Sequence, residues 1–417
     1  MKNKFLIIGL LTIPGIHHAQ NITSPYSILG IGDVETKDFG RYFITGNTAS
    51  SRRDAASYNN ANPAALTSLP YKTMHFDVAF RGRSSYYTLP TSGERTATSK
   101  DFTIKRGTLA FKVTRKTGIA FGIQPYSTVN YQYSETAKIT DGTESYLKIT
   151  EGNGGINQLF ASVGRSFGKH ISVGVTSSWL FGSLQRNTTY YSSSLAMDIL
   201  KEDRDFYTGG NFKAGLQFYS AESSTRSWKH SIGMTGTIST GLRGQLTSTY
   251  TESETELTQQ LTGNRRFELP VQAGLSYTAI RKNKLSLSAE ANYYYWKKQE
   301  LDYKNSYTAP ALRLSAGMEY SFKQNTFQGF AEKSFLGFGL HAEESYMRIN
   351  GKSLRDYSVS FGGGFSPART ISLYGGMELG IKGDRAGQYR ENYTQFIFGV
   401  TVKDIWIGTK RDRKSTR

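Results

Sequence analysis

From Met74 onward the chain alternates. Met74, Phe76, Val78 and Phe80 fall on one side of an extended backbone, and His75, Asp77, Ala79 and Arg81 on the other. The same period returns in Ile171, Val173, Val175, Trp179 and Phe181 against Ser172, Gly174, Thr176 and Ser178. It returns again in Leu285–Tyr293, in Leu312–Met318 and in Phe396–Val402. Residues two apart share a sheet face, so each stretch predicts a strand with one apolar and one polar side. About 14 such strands are predicted, most of them long enough to cross a bilayer at a tilt. They lie near 72–87, 101–114, 118–135, 155–167, 171–190, 206–219, 228–250, 267–280, 284–297, 311–322, 335–346, 357–365, 370–381 and 392–407.

The connections carry as much information as the strands. Tight ones (115–117, 168–170, 281–283, 366–369) alternate with mostly longer ones (89–100, 136–154, 192–205, 251–266). A transmembrane barrel distributes its periplasmic turns and extracellular loops in this way, whereas a soluble sandwich has no reason to. The stretch 324–333 is the exception, being long where a tight turn is expected. The fold expected is therefore all-β, a transmembrane β-barrel of about 14 antiparallel strands.

Before Tyr71 the period is missing. Residues 20–70 are polar and dotted with glycine, yet they carry Tyr26, Ile28, Leu29, Phe39, Tyr42 and Phe43. Those side chains are costly to leave in water, and the segment is too poor in apolar area to fold alone. Packing inside the barrel as a plug resolves both facts. Asn62-Pro63-Ala64 is the expected hinge: Pro63 fixes its own φ and biases Asn62 away from the helical region, so the chain should enter the first strand extended.

Residues 1–19 read as a secretory leader, with Lys2 and Lys4 ahead of an apolar run from Phe5 to Ile16 and a small residue, Ala19, at the cut. That run is too short to span a bilayer as an anchor, so an exported chain of this pattern enters a membrane only as a closed barrel. The domains expected are thus a leader at 1–19, a plug at 20–70, a barrel at 71–408 and a basic tail at 409–417. The termini are expected on the periplasmic side of an outer membrane.

Composition fits. Hydrophobic residues make up 37% of 417 residues while aromatics reach 13%, a balance suited to a half-apolar wall with aromatic rims. There is no cysteine, hence no disulfide framework or thiolate metal site. The net charge of +18 raises nucleic acid as a partner, but the basic residues are scattered through turns and strand ends. Solvated turns beside anionic lipid headgroups account for them, and no nucleic-acid partner is expected.

Asn62-Pro63-Ala64 after a polar N-terminal segment, the Gly154-Gly155-Ile156-Asn157-Gln158 lead into a strand, and the strand count together resemble the FadL family of outer-membrane transport proteins. Ser24-Pro25-Tyr26-Ser27 with Gly30-Ile31-Gly32-Asp33 is similar to the mature start of such barrels in Bacteroidota. The resemblance implies a plugged barrel with a lateral opening at a kink in the third strand. It also implies either passage of hydrophobic molecules or, as in members that do not transport, a subunit role in type IX secretion or similar assemblies. One departure is the C-terminus. The last strand of such barrels commonly finishes on an aromatic residue, whereas Trp406 is followed by Ile407-Gly408-Thr409 and a basic tail.

Candidate chemistry is sparse. His75 lies two positions from Asp77 on one face, as a base and its orienter would, but no nucleophile accompanies them, so no catalytic residue, metal or cofactor is assigned. The inward charges Asp77, Arg81, Glu290, Arg313, Glu319, Glu343 and Glu378 are of both signs. They suit pairing with each other and with the plug through Arg52, Arg53 and Asp54. Tyr126, Phe160, Tyr294, Trp296 and Tyr374 have the parity to line a pocket for an apolar ligand, or to stack on the plug. Pro125 inside the third strand removes a ladder donor, and Gly122 beside it eases a bend, which makes the pair candidates for a lateral gate.

Two functions fit. One is passive uptake of a hydrophobic small molecule through a plugged lumen with lateral exit, with outer-membrane lipid as the other partner. The alternative is a non-transporting accessory barrel in a multi-protein outer-membrane machine of the type IX secretion or barrel-assembly type. A continuous apolar tunnel favours the first, and a sealed lumen favours the second.

Overall fold

The computed structural model describes residues 24–89, 95–138, 145–192, 198–221, 227–252, 255–301, 305–326, 329–383 and 390–405. The leader expected at 1–19 and the basic tail at 409–417 lie outside these residues. Fourteen antiparallel strands close into one barrel. The first seven are β1 (Thr73–Leu89), β2 (Arg95–Lys112), β3 (Thr117–Lys138), β4 (Ser145–Phe167), β5 (Ile171–Ser192), β6 (Ile199–Tyr219) and β7 (Trp228–Glu252). β8 comprises Thr255–Phe267 and Val271–Arg281, two halves that both pair with β7. Pro270 lies between them, and a residue without an N–H interrupts a ladder there. Then follow β9 (Leu285–Tyr295), β10 (Ala311–Thr326), β11 (Gly329–Ile349), β12 (Lys352–Ala368), β13 (Ile371–Lys382) and β14 (Arg390–Ile405). β14 pairs with β1 from Arg390–Thr88 to Ile405–Thr73 and closes the ring.

The period-two faces lie as the pattern requires. Leu287, Leu314 and Phe398 are exposed on the outside, while Ser286, Arg313 and Gln395 are buried inside. Strand lengths differ from expectation at the end opposite the tight turns. β4 starts at Ser145 rather than 155, β6 at Ile199 rather than 206, and the first half of β8 occupies part of a stretch read as loop. Likewise 324–333, read as a long connection, is strand up to Thr326 and again from Gly329. Once a hairpin leaves the hydrocarbon, both its faces meet water and the alternation stops. Its ladder hydrogen bonds persist, so the strand continues without the pattern that reveals it.

The N-terminal segment threads down the lumen. It forms short 3-10 helices at Pro25–Ile28, Arg41–Thr45 and Pro63–Ser68, with a small strand, Asp33–Val34, between the first two. The route begins beside Asn130 in the far half of β3, where the Ser24 N–H meets the Asn130 carbonyl. The described end of the chain, Ile405, pairs with Thr73 at the tight-turn end. The two described ends therefore lie at opposite ends of the barrel, because the segment runs its length before the first strand begins; the termini themselves, expected on the periplasmic side, lie outside the described residues.

Pro63 does not open the first strand. Asn62 is extended, at φ −135° and ψ 114°, and its side chain accepts the Ala64 N–H, so it caps the 3-10 helix that Pro63 begins. A proline with no N–H and a fixed φ suits the first position of a helical turn, which the expectation of direct strand entry overlooked.

Leu287 supplies the test of the faces. Leu287→Arg places a charge on the lipid side, where the cost is roughly 2–4 kcal/mol near the midplane. Folding into lipid vesicles titrated with denaturant should show that loss, while Leu287→Phe should fold like the parent.

Candidate functional site

Everything in the lumen that resembles a site is an interface between the N-terminal segment and the wall. At the far end, Tyr26, Leu29 and Ile31 of the segment sit in one apolar cluster with Tyr126, Tyr294 and Trp296. Trp296 stacks on Tyr346 at 4.3 Å, and the Tyr346 hydroxyl donates to the Gly32 carbonyl at 2.9 Å. Three of the residues with ligand-lining parity therefore do come together, and the chain's own Tyr26, Leu29 and Ile31 are packed among them. The other two lie elsewhere. Phe160 packs with Tyr58, Leu66 and Leu69. Tyr374 packs with Phe39, Phe43 and Ile44, and its hydroxyl donates to Asp77 at 3.3 Å.

Between these clusters runs a network of buried charge. Arg41, only 2% exposed, donates to Glu319 at 2.8 Å and Glu332 at 2.6 Å and lies 3.4 Å from Asp54. Its guanidinium also covers the Phe335 ring. Arg52 donates to the same Glu319 at 2.6 Å. Lys37 reaches Glu378 at 2.5 Å, and Glu290 accepts the backbone N–H groups of Ala49 and Ser50, both at 2.8 Å. Arg53 is held by Thr67, Ser172 and Gln217. A buried charge is tolerated only when paired and hydrogen-bonded, and here the segment supplies the partners.

Asp54 shows the consequence. Burial alone would raise its pKa, but Arg41 and then Arg52 hold it at about 2. His75 and Asp77 do not form a catalytic pair: Asp77 accepts from Arg106 at 2.9 Å and from Thr401 at 2.6 Å. Both His75 ring nitrogens are buried without a hydrogen-bond partner among the described residues. Asp54, Glu319 and Glu332 are close enough to hold a cation, but the two guanidiniums of Arg41 and Arg52 occupy that charge.

Close approach fixes the segment as firmly as charge does. A methyl group on Gly339 of β11 would overlap the amide nitrogen of Gly46, so only glycine admits the segment there. Asn62 is fully buried, and its side-chain amide donates to Ser50 and Leu216 carbonyls at 2.9 and 3.2 Å. A luminal cavity of about 140 Å³ touches Lys213, Glu290, Arg313 and Glu343 as well as Tyr294 and Trp296. Pockets for drug-sized ligands run to roughly 300–1,000 Å³ and are mostly apolar. A broader concavity of about 980 Å³ is lined by Leu314, Leu340 and Tyr357, exposed side chains of the lipid-facing side.

The wall parts between β2 and β3. β2 and β3 pair only from Lys112–Gly118 to Gly107–Ile123, and above that point they diverge. Gly122, opposite Thr108, is one step inside the end of the paired stretch, and a Cβ there would crowd the Gly107 carbonyl. Pro125 follows two residues after the last pair, with a bulge in the β3–β4 ladder between it and Ser127. Half-buried, it also contributes to the polar luminal cavity. Inside the seam, Asp33–Val34 pairs antiparallel with Ser127–Thr128 of β3.

Glu35 then ties the two sides. Its N–H donates to the Tyr126 carbonyl of β3 at 2.9 Å, and its carboxylate takes Lys105 of β2, with Arg81 3.5 Å away. Burial alone would raise the Glu35 pKa, but Lys105 and then Arg81 pull it below the usual range.

Glu35, Lys37, Asp38 and Arg41 were not singled out from sequence, since nothing in an aperiodic segment says which way it faces. Lys105 was missed because a bulge sets it opposite no residue of β1: Ala79 pairs with Arg106 and Phe80 with Ile104. Both Lys105 and Arg106 turn inward as a result. Two adjacent cations in an otherwise alternating strand were the available signal.

The sequence matches the BamG family over residues 1–412. No curated protein matches it. Solved structures resemble it in fold. A Pseudomonas aeruginosa FadL homologue has a TM-score of 0.58 at 13% identity, over 90% of this chain and 98% of that one. The Pseudomonas putida toluene transporter TodX has a TM-score of 0.55 at 13% identity, over 89% and 99%. The Ralstonia pickettii toluene transporter TbuX has a TM-score of 0.55 at 11% identity, over 88% and 98%. The FadL resemblance read from sequence thus holds at the level of the fold.

Two measurements probe the seating of the segment. Arg41→Met takes the guanidinium from Asp54 and Glu332 and leaves Glu319 with Arg52 alone, and breaking a buried pair costs about 3–5 kcal/mol. Trypsin added to the barrel in lipid should then cleave within residues 24–69, which resist it in the parent. The second is pH. A carboxylate held low in the folded state stabilises it fully above the ordinary value of 3.8, and that contribution is lost as pH falls toward about 2. Pepsin should spare the segment at pH 4 and cut it near pH 2, where Asp54 is titrating; equal resistance at both would refute its anchoring role.

Proposed function

The chain belongs to the BamG family, and on that footing we propose that it is a non-transporting accessory barrel of a multi-protein outer-membrane machine of the barrel-assembly type. The tight turns would face the periplasm. The observation that carries this role is the filled lumen. Tyr26, Leu29 and Ile31 lie among the aromatic side chains an apolar solute would need. Below them, buried ion pairs such as Arg41–Glu319 fasten the segment to the wall. A carrier would have to break several of these at each passage, and breaking one buried pair costs about 3–5 kcal/mol. A scaffold needs only the rigidity they confer. Likeness in fold to toluene transporters does not decide between the roles, because one fold hosts unrelated functions.

Reconstituted vesicles test the proposal. Entry of a monoaromatic hydrocarbon into vesicles carrying the protein should equal entry into protein-free vesicles. Depleting the protein from its own membrane should lower the amount of other assembled outer-membrane barrels. Saturable uptake that Trp296→Ala abolishes, with assembly unaffected, would establish transport instead.

A further inference from the structure

We propose that the free edge of β2, at the seam where the wall parts, receives a β-strand from a neighbouring outer-membrane protein; this rests on the accessory role above and names its partner's chemistry. Among the described residues, the stretch 95–106 of β2 pairs with β1 alone. The facing edge of β3 is different, because Asp33–Val34 has been added to it as a strand. One side of the seam is therefore already extended by strand addition, and the described residues supply nothing equivalent to the other. β3 cannot close the gap itself while Asp33–Val34 and Glu35 are bonded to it.

Depth makes the open edge consequential. Cross-strand register sets Ile104 level with Phe80 and, across β1, with Phe398, and sets Phe102 level with Gly82 and Phe396. Phe398 and Phe396 belong to the exposed apolar band of the outer wall. Phe102 and Ile104 are 67% and 63% exposed, against 53% for Phe396 and 51% for Phe398, because no strand covers them on the seam side. Backbone N–H and C=O groups at that depth have no water to bond. Neither an acyl chain nor an apolar solute offers a row of donors and acceptors, whereas a strand does, about 4.8 Å away.

Charge selects the strand. The bulge turns Lys105 and Arg106 inward onto Glu35 and onto Asp77 and Asp38. That leaves Lys100 as the exposed charge of residues 96–106, with no ion pair among the described residues. Directly opposed residues on adjacent strands interact, so the incoming segment should set apolar side chains against Phe102 and Ile104 and a carboxylate against Lys100.

Amide hydrogen exchange on the full chain tests this in two states, with its co-purifying outer-membrane proteins in native lipid discs and alone in discs of the same lipid. Peptides covering 96–106 should exchange at least about tenfold more slowly in the assembly, while 107–112, already paired with β3, should not change. Lys100→Glu should release the partner several-fold more readily than Lys100→Arg, at equal folding of the two barrels. Equal exchange of 96–106 in both states, with the partners still present, would overturn strand addition and leave the accessory role standing. Failure of any outer-membrane protein to co-purify would overturn both.

Discussion

A charge on the inner wall of a lipid-embedded barrel needs water or a partner, and in this protein the N-terminal segment takes the place of water. Glu319 is the clearest case: buried on β10, it is held by Arg41 and Arg52, which belong to the segment and not to the wall. Glu290 is satisfied by two backbone N–H groups of the same segment. Neither partner set is stable alone, since an unpaired buried carboxylate or guanidinium carries a large desolvation cost. Wall and segment are thus one electrostatic unit.

The backbone obeys the same rule. The segment lies so close to the wall that Gly339 leaves no room for a side chain against Gly46. Where β2 and β3 lose each other, Asp33–Val34 satisfies β3 from inside, and Glu35 bonds to both sides of the parting. The seam is therefore more than a defect left by Pro125. Its β3 side is occupied by main chain, and its β2 side is a stretch of wall whose pairing is not completed within the described residues.

Comparison with toluene transporters of the same architecture separates fold from use. Within that fold, Tyr126, Tyr294 and Trp296 of the wall form one luminal aromatic cluster. Tyr26, Leu29 and Ile31 occupy that cluster, and a small cavity with charged lining lies beside it.

The period of two determined the barrel, its strand number and the outward identity of residues such as Leu287 and Phe398, because lipid on one side of a wall forces apolar side chains to every second position. It also marked Asp77, Glu290, Glu319 and Glu378 as inward charges in need of partners. It could not say which partners, since the 20–70 segment has no period, and its contacts join residues such as Arg41 and Glu319 from opposite ends of the chain. Nor could it place the strand ends beyond the membrane, where water on both faces erases alternation while the ladder continues. The bulge at Lys105 and the parting of β2 from β3 were likewise decided by tertiary structure. Pro125 announces a missing donor, but which neighbour gives way, and what fills the gap, depends on a segment that only tertiary packing brings to the site.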